Sequence, residues 1–225
     1  MTGNSLVASI VIILYDIIIG VSALVAILFR KEIATRSLLP LAFLLPYVFI
    51  QELIPDFFPF ENSYIYNVYR PITVLVFFLI YSGIPFMKPR VKLMLWVTGI
   101  YLALVILNFT FLESIRDPGG YPGTLRNFVC TFFAFLFLVE YFKLDDRQLE
   151  KYWLPVLWVS IGVVIFYPVT SISITFRKFL IPRDIILFGM KVYHLIPQVM
   201  SIFMYSCFIY AFYLCRVRKS TLLSQ

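Results

Sequence analysis

The stretch LVASIVIILYDIIIGVSALVAILF, Leu6–Phe29, followed at once by Arg30 and Lys31, decides the fold class of this chain. It is longer than the about 20 apolar residues that carry an α-helix across a hydrocarbon layer. In lipid every backbone N–H and C=O needs an internal partner, and over a run of this length the helix supplies it. The same reading applies six more times along the chain, at Ser37–Ile54, Tyr64–Ile84, Leu93–Leu112, Thr124–Phe142, Trp153–Thr175 and Ile185–Cys215. The last is long enough to start outside the bilayer or to tilt. Alternation of apolar and polar residues at period two is absent, which argues against an outer-membrane barrel. The expectation is an all-α polytopic membrane protein, a bundle of seven transmembrane helices.

Composition agrees. Of 225 residues, 61% are hydrophobic and only 14% charged, against about 25% charged in a soluble domain, and the mean hydropathy is +0.91. Seven spans use about 140 positions, so residues 1–225 read as one transmembrane domain with short loops and a short basic tail. No room is left for a separate soluble catalytic or nucleic-acid-binding domain. The formal charge of +7 reports orientation in the membrane and not a polyanion partner, because the basic residues sit between apolar runs. Twelve lie in Arg30–Arg36, Lys88–Lys92, Lys143–Lys151 and the tail after Cys215, against four in the opposite connections: Arg116, Arg177, Lys178 and Arg183. That asymmetry places the N-terminus outside and the C-terminus in the cytoplasm. The first helix has no basic residue before Leu6 and reads as an uncleaved span. Cys130, Cys207 and Cys215 all fall within spans, as buried thiols and not as a disulfide framework.

Ionisable groups inside spans are costly and are the first place to look for function. Glu52 closes the second span, Arg70 lies early in the third, Arg126 starts the fifth, and Lys191 and His194 lie early in the seventh. All five fall in the outer half. Asp16, near mid-membrane, needs a cationic or hydrogen-bonding partner or a proton. Lys191, His194, Gln198, Ser201 and Tyr205 follow steps of three and four on one helical face, and Asn67 and Arg70 are three apart, so a polar cavity opening outward is the economical reading. The competing reading is structural: long cations near helix ends snorkel to headgroups, and Tyr64, Tyr66, Tyr69, Tyr121 and Tyr193 form an interfacial aromatic belt. Arg70 precedes Pro71, which predicts a kink there.

Several chemistries fail on paper. One His and no Cys pair at ligand spacing argue against a metal centre, and no cofactor signature is present. Ser82 and His194 fall at opposite ends of their spans and cannot form a nucleophile–base pair. Lys191 lies too near the outer end of its span for a retinal Schiff base, and the Pro197-Gln198 pair has no counterpart in the first three spans, as a PQ-loop transporter requires.

Four stretches taken in order carry a resemblance: Asn67-Val68-Tyr69-Arg70-Pro71-Ile72; Leu125-Arg126-Asn127 leading to Glu140-Tyr141-Phe142; Tyr152-Trp153-Leu154-Pro155 with Gly162 and Tyr167; and Tyr193-His194 through Tyr205. This order resembles a family of small, uncharacterised bacterial seven-helix membrane proteins associated with sensor histidine kinases. The resemblance implies a multi-pass protein of the inner (cytoplasmic) membrane with a sensory or signalling role. It carries no ligand or catalytic residue with it.

The expected function is therefore receptor-like. An outward cavity lined by Glu52, Asn67, Arg70, Arg126, Lys191, His194 and Gln198, with Asp16 as a deeper buried charge, binds a small polar or anionic ligand. Membrane lipids surround the chain, and a signalling protein partner supplies the output that the chain lacks. The alternatives are an intramembrane lipid-modifying enzyme using Asp16, Glu52 or His194 as acid or base, or a carrier or structural subunit of a membrane complex.

Overall fold

The computed structural model describes residues 3–57, 63–114, 121–180 and 185–222. In chain order its elements are α1 (Gly3–Leu28), α2 (Arg30–Ala34), α3 (Leu39–Phe57), α4 (Ser63–Ser82), a 3-10 turn (Pro85–Met87), α5 (Lys88–Phe111), α6 (Tyr121–Tyr141), α7 (Arg147–Leu180), β1 (Ile186–Leu187), β2 (Met190–Lys191) and α8 (Val192–Leu222). Six helices, α1 and α4 to α8, are long and apolar enough to cross a membrane, and α3 carries a shorter apolar stretch, Leu39–Leu53. The protein is an all-α, multi-pass membrane bundle.

Local chemistry sets the boundaries. Pro40, Pro89 and Pro122 each sit in the first turn of a helix, where the missing N–H is no loss. The α2–α3 turn passes through Ser37 at φ 59°. α4 runs through Pro71, which deprives the Asn67 carbonyl of its helical hydrogen bond. The expected seventh span, Ile185–Cys215, needs correction at its start. Residues 186–191 form an antiparallel hairpin, because Phe188 and Gly189 adopt positive φ (53° and 83°) and reverse the chain. The helix begins only at Val192.

The helices close into a ring. α1 packs on α3 and α8, α3 on α4, α4 on α6, α6 on α7 and α7 on α8, while α5 lies outside against α4 and α6. α5 accordingly buries one row, Met94, Thr98, Tyr101, Val105 and Asn108, and exposes Trp96, Ile100 and Ile106 on its other side. α7 and α8 approach closely at Gly162, where a β-carbon would lie 3.2 Å from the Cys207 Cβ and 3.3 Å from the Met204 carbonyl oxygen. Small residues allow such contacts where lipid gives helices no hydrophobic reason to associate.

The two ends of the bundle differ. The end carrying α2, the 3-10 turn and the α6–α7 connection is the charged-loop end. There Glu140 pairs with Arg90 (2.7 Å) and Lys143 (3.3 Å), the Arg36 guanidinium sits 3.2 Å above the Tyr152 ring, and the Tyr152 hydroxyl donates to the Thr35 carbonyl at 2.7 Å. Beneath it lies an aromatic core in which Phe137 touches Tyr81, Phe86 and Tyr141 with ring centroids 5.6–5.7 Å apart. The opposite end carries the β1–β2 hairpin, and the interior of that half is polar.

Candidate polar site in the hairpin half

α4 supplies the frame. Tyr66, Tyr69 and Thr73 recur at steps of three and four on one face, with Asn67 and Arg70 beside them. Asn67 is buried, and its side-chain oxygen accepts a hydrogen bond of 2.5 Å from Arg70 Nη1. The rest of the Arg70 guanidinium lies over Gly123 in the first turn of α6. A β-carbon there would stand 3.2–3.4 Å from Arg70 Nε, Cζ and Nη2, so the glycine leaves the space that the guanidinium uses.

Arg126 comes from the next turn of α6. Its Nε and Nη2 donate to the side-chain oxygen of Asn127 at 3.1 and 2.8 Å, and its charge lies 5.6 Å from the Tyr69 ring and 5.4 Å from the Tyr167 ring. Asn127 is fully buried and donates in turn to Thr170 Oγ1 on α7 at 3.4 Å. The two arginines are within repulsive range of each other. Neither forms an ion pair with a carboxylate among the described residues. Guanidiniums taken out of water normally acquire a carboxylate, because desolvation costs several kcal/mol per ion; here amide oxygens and ring faces stand in for one.

On the opposite wall, Glu52 of α3 accepts a long hydrogen bond from the Tyr66 hydroxyl, 3.5 Å. Tyr15 of α1 and Tyr205 of α8 lie within electrostatic reach of the same carboxylate. Gln51, only 3% exposed, finds no hydrogen-bond partner for either amide atom among the described residues, and neither do Gln198 Oε1 and Ser171 Oγ. A buried polar group left unpaired costs about 1–3 kcal/mol. The hairpin half thus holds unsatisfied buried polarity, and the aromatic half is not free of it, since among the described residues the Trp153 indole N–H also has no partner.

The expected site residues separate into two groups. Glu52, Asn67, Arg70 and Arg126 lie in the interior of the hairpin half, and Gln198 is half-buried on α8, two turns before Tyr205. Lys191 belongs to the hairpin and is exposed, and His194 is exposed on the first turn of α8, stacked on Tyr193 at 4.5 Å. Both stand at the rim. Asp16 is half-buried on α1 beside Tyr15. Two of the expected belt tyrosines, Tyr66 and Tyr69, turn inward; Tyr64 and Tyr121 are exposed as a belt requires. Asn127 and Tyr167 enter the sequence reading only as residues that carry the resemblance, with no site role, and Gln51 does not enter it. The spacing of Tyr66, Tyr69 and Thr73 was the available signal for the tyrosines, and nothing in the sequence distinguishes Gln51 from any other helix-end amide.

Among the described residues no group of three or more His, Cys, Asp or Glu side chains could hold a metal ion. What the site offers chemically is two guanidiniums, tyrosine hydroxyls and amides around a common interior, a set suited to an anion. A separate cleft at the charged-loop end, among Ser37, Gly83, Pro85 and Tyr152, is distant from all of these groups. No family model matches the chain, and neither a curated protein nor a solved structure matches it.

Proposed function

We propose that this protein is a receptor-like, multi-pass protein of the bacterial inner membrane that binds a small anionic or polar ligand in the hairpin half and acts through a protein partner. The excess of basic residues at the charged-loop end, twelve against four, favours seven crossings with the N-terminus and the hairpin end outside. The ligand then enters from the outer face. Arg70 and Arg126 bind it, Asn67 and Asn127 hold the guanidiniums in place, and Glu52 with its tyrosines forms the far wall. The observation that carries this reading is that two arginines share the bundle interior and, among the described residues, neither forms an ion pair with a carboxylate, Glu113 lying only within electrostatic range of Arg70. An anion between two guanidiniums gains about 4 kcal/mol from each at about 4 Å in a protein-like dielectric, before its own desolvation is counted. We assign signal transfer to a partner protein, since the described residues form only the helical bundle and one short hairpin.

The test compares the wild type with the Arg70→Gln, Arg126→Gln double variant, both purified in lipid discs. Inorganic phosphate and short carboxylates should raise the unfolding temperature of the wild type only, and a signalling protein should copurify with both. Equal stabilisation of the two forms by every anion tried would remove the site from consideration.

A further inference from the structure

The β1–β2 hairpin presents an aromatic residue at a position where turn chemistry disfavours one. Its two-residue turn, Phe188-Gly189, has both residues at positive φ, the geometry in which Asn, Asp and Gly are strongly preferred. A bulky side chain there costs about 1–2 kcal/mol. The Phe188 side chain is nevertheless 53% exposed, and Ile185, Ile186 and Leu187 beside it are 45–57% exposed. Four consecutive exposed apolar residues at a strained tip form a patch of the kind that marks a contact with membrane or protein.

The level of the hairpin in the fold identifies its surroundings. The apolar span of α8 begins at Val192, directly after β2, and the Val192 amide donates to the Ile185 carbonyl at 3.1 Å, tying the strand to the helix start. Tyr193 lies in the first turn of α8, and exposed Tyr64 and Tyr121 open α4 and α6 at the same end. Tyrosines in this pattern mark the membrane–water interface. From Val192 the tip can reach about 10 Å at strand rise, the depth of a headgroup layer. The exposed apolar surface of the hairpin therefore continues the lipid-facing surface of the helices. Charge points the same way: in sequence the tip is flanked by Arg177, Lys178, Arg183 and Lys191 against Asp184 alone. An apolar tip bordered by cations is the composition that binds anionic lipid.

We infer that the hairpin inserts Phe188 and its apolar neighbours into the headgroup layer of the adjacent leaflet, with preference for anionic phospholipid. The inference does not depend on the anion site. It is tested on the full chain carrying Phe188→Cys, labelled with an environment-sensitive fluorophore; the native cysteines are buried. The protein is placed in discs of phosphatidylcholine with or without phosphatidylglycerol, beside a control labelled at Asp145→Cys in the charged loop. The tip label should be quenched by lipid carrying a nitroxide near the headgroup and shielded severalfold from aqueous iodide relative to the control, and the shielding should weaken without phosphatidylglycerol. Iodide access equal to the control places the tip in water and overturns the inference. Shielding from both quenchers places it against protein and also overturns it, and insertion indifferent to phosphatidylglycerol overturns the headgroup preference. Ile186→Cys and Leu187→Cys repeat the measurement should the first variant fold poorly.

Discussion

Replacing Arg126 by glutamine separates a binding role for this residue from a structural one. In the folded protein Arg126 has two hydrogen bonds to the Asn127 side chain and two aromatic faces within 5.6 Å. A hydrogen bond to a charged group contributes about 1.5–3 kcal/mol and each ring about 0.5–2 kcal/mol. Against this stands the desolvation of a guanidinium without a counter-charge, several kcal/mol. The opposing contributions are of similar size, so Arg126→Gln should leave stability within about 1 kcal/mol of wild type, or raise it, since a neutral amide can still reach Asn127 and no longer repels Arg70. Ligand binding should suffer instead. An anion that stabilises the wild type by about 2.7 kcal/mol at a hundredfold excess over its Kd should have almost no effect on the variant. The assay is denaturant unfolding in detergent micelles, followed by tryptophan fluorescence, with and without phosphate or a short carboxylate. A loss of about 3 kcal/mol or more in the ligand-free variant, with anion stabilisation retained, would refute the reasoning and make Arg126 a structural cation.

Four further outcomes follow from the packing. Phe137→Ala should destabilise by about 3–5 kcal/mol, because Phe137 is fully buried among Tyr81, Phe86 and Tyr141; the same unfolding assay reads it. Glu140→Gln should cost no more than about 1 kcal/mol, since its partner Arg90 is 42% exposed; unfolding at low and high salt should show the small difference disappearing as charges are screened. Gly162→Leu should separate α7 from α8, where the backbone of Met204 lies within 3.4 Å of a β-carbon at 162; faster proteolysis and loss of a monodisperse elution peak would report it. Cys130, Cys207 and Cys215 are buried and should resist maleimide until detergent unfolds the chain, whereas rapid labelling of the folded protein would contradict the packing around them.

Much of the fold was legible because a membrane helix is encoded by the length of an apolar run. Leu6–Phe29 and Thr124–Phe142 correspond to α1 and α6 with ends displaced by only a few residues. The error at Ile185–Leu187 has the same origin: an apolar run reads identically as helix or strand, and only the positive φ of Phe188 and Gly189 reverses the chain. Lys191 was placed on a helical face with His194 by spacing alone, and the hairpin removes it from that helix. Arg70 and Arg126 were visible as charges that a span does not tolerate lightly. Their shared environment was not, since it depends on α4 and α6 packing directly while α5, which lies between them in sequence, stays outside.

By itself the sequence determined the solvent, the helical class and which side chains are too polar to face lipid, because each follows from local composition and the cost of an unpaired backbone in hydrocarbon. Tertiary structure decided which of those side chains meet. In a membrane bundle the lipid-facing and core-facing sides of a helix are both apolar, so periodicity scarcely distinguishes Tyr64, which is exposed, from Tyr69, which carries the Arg126 charge on its ring. That distinction arises only when the ring of helices closes and Gly123 gives Arg70 room beside Arg126.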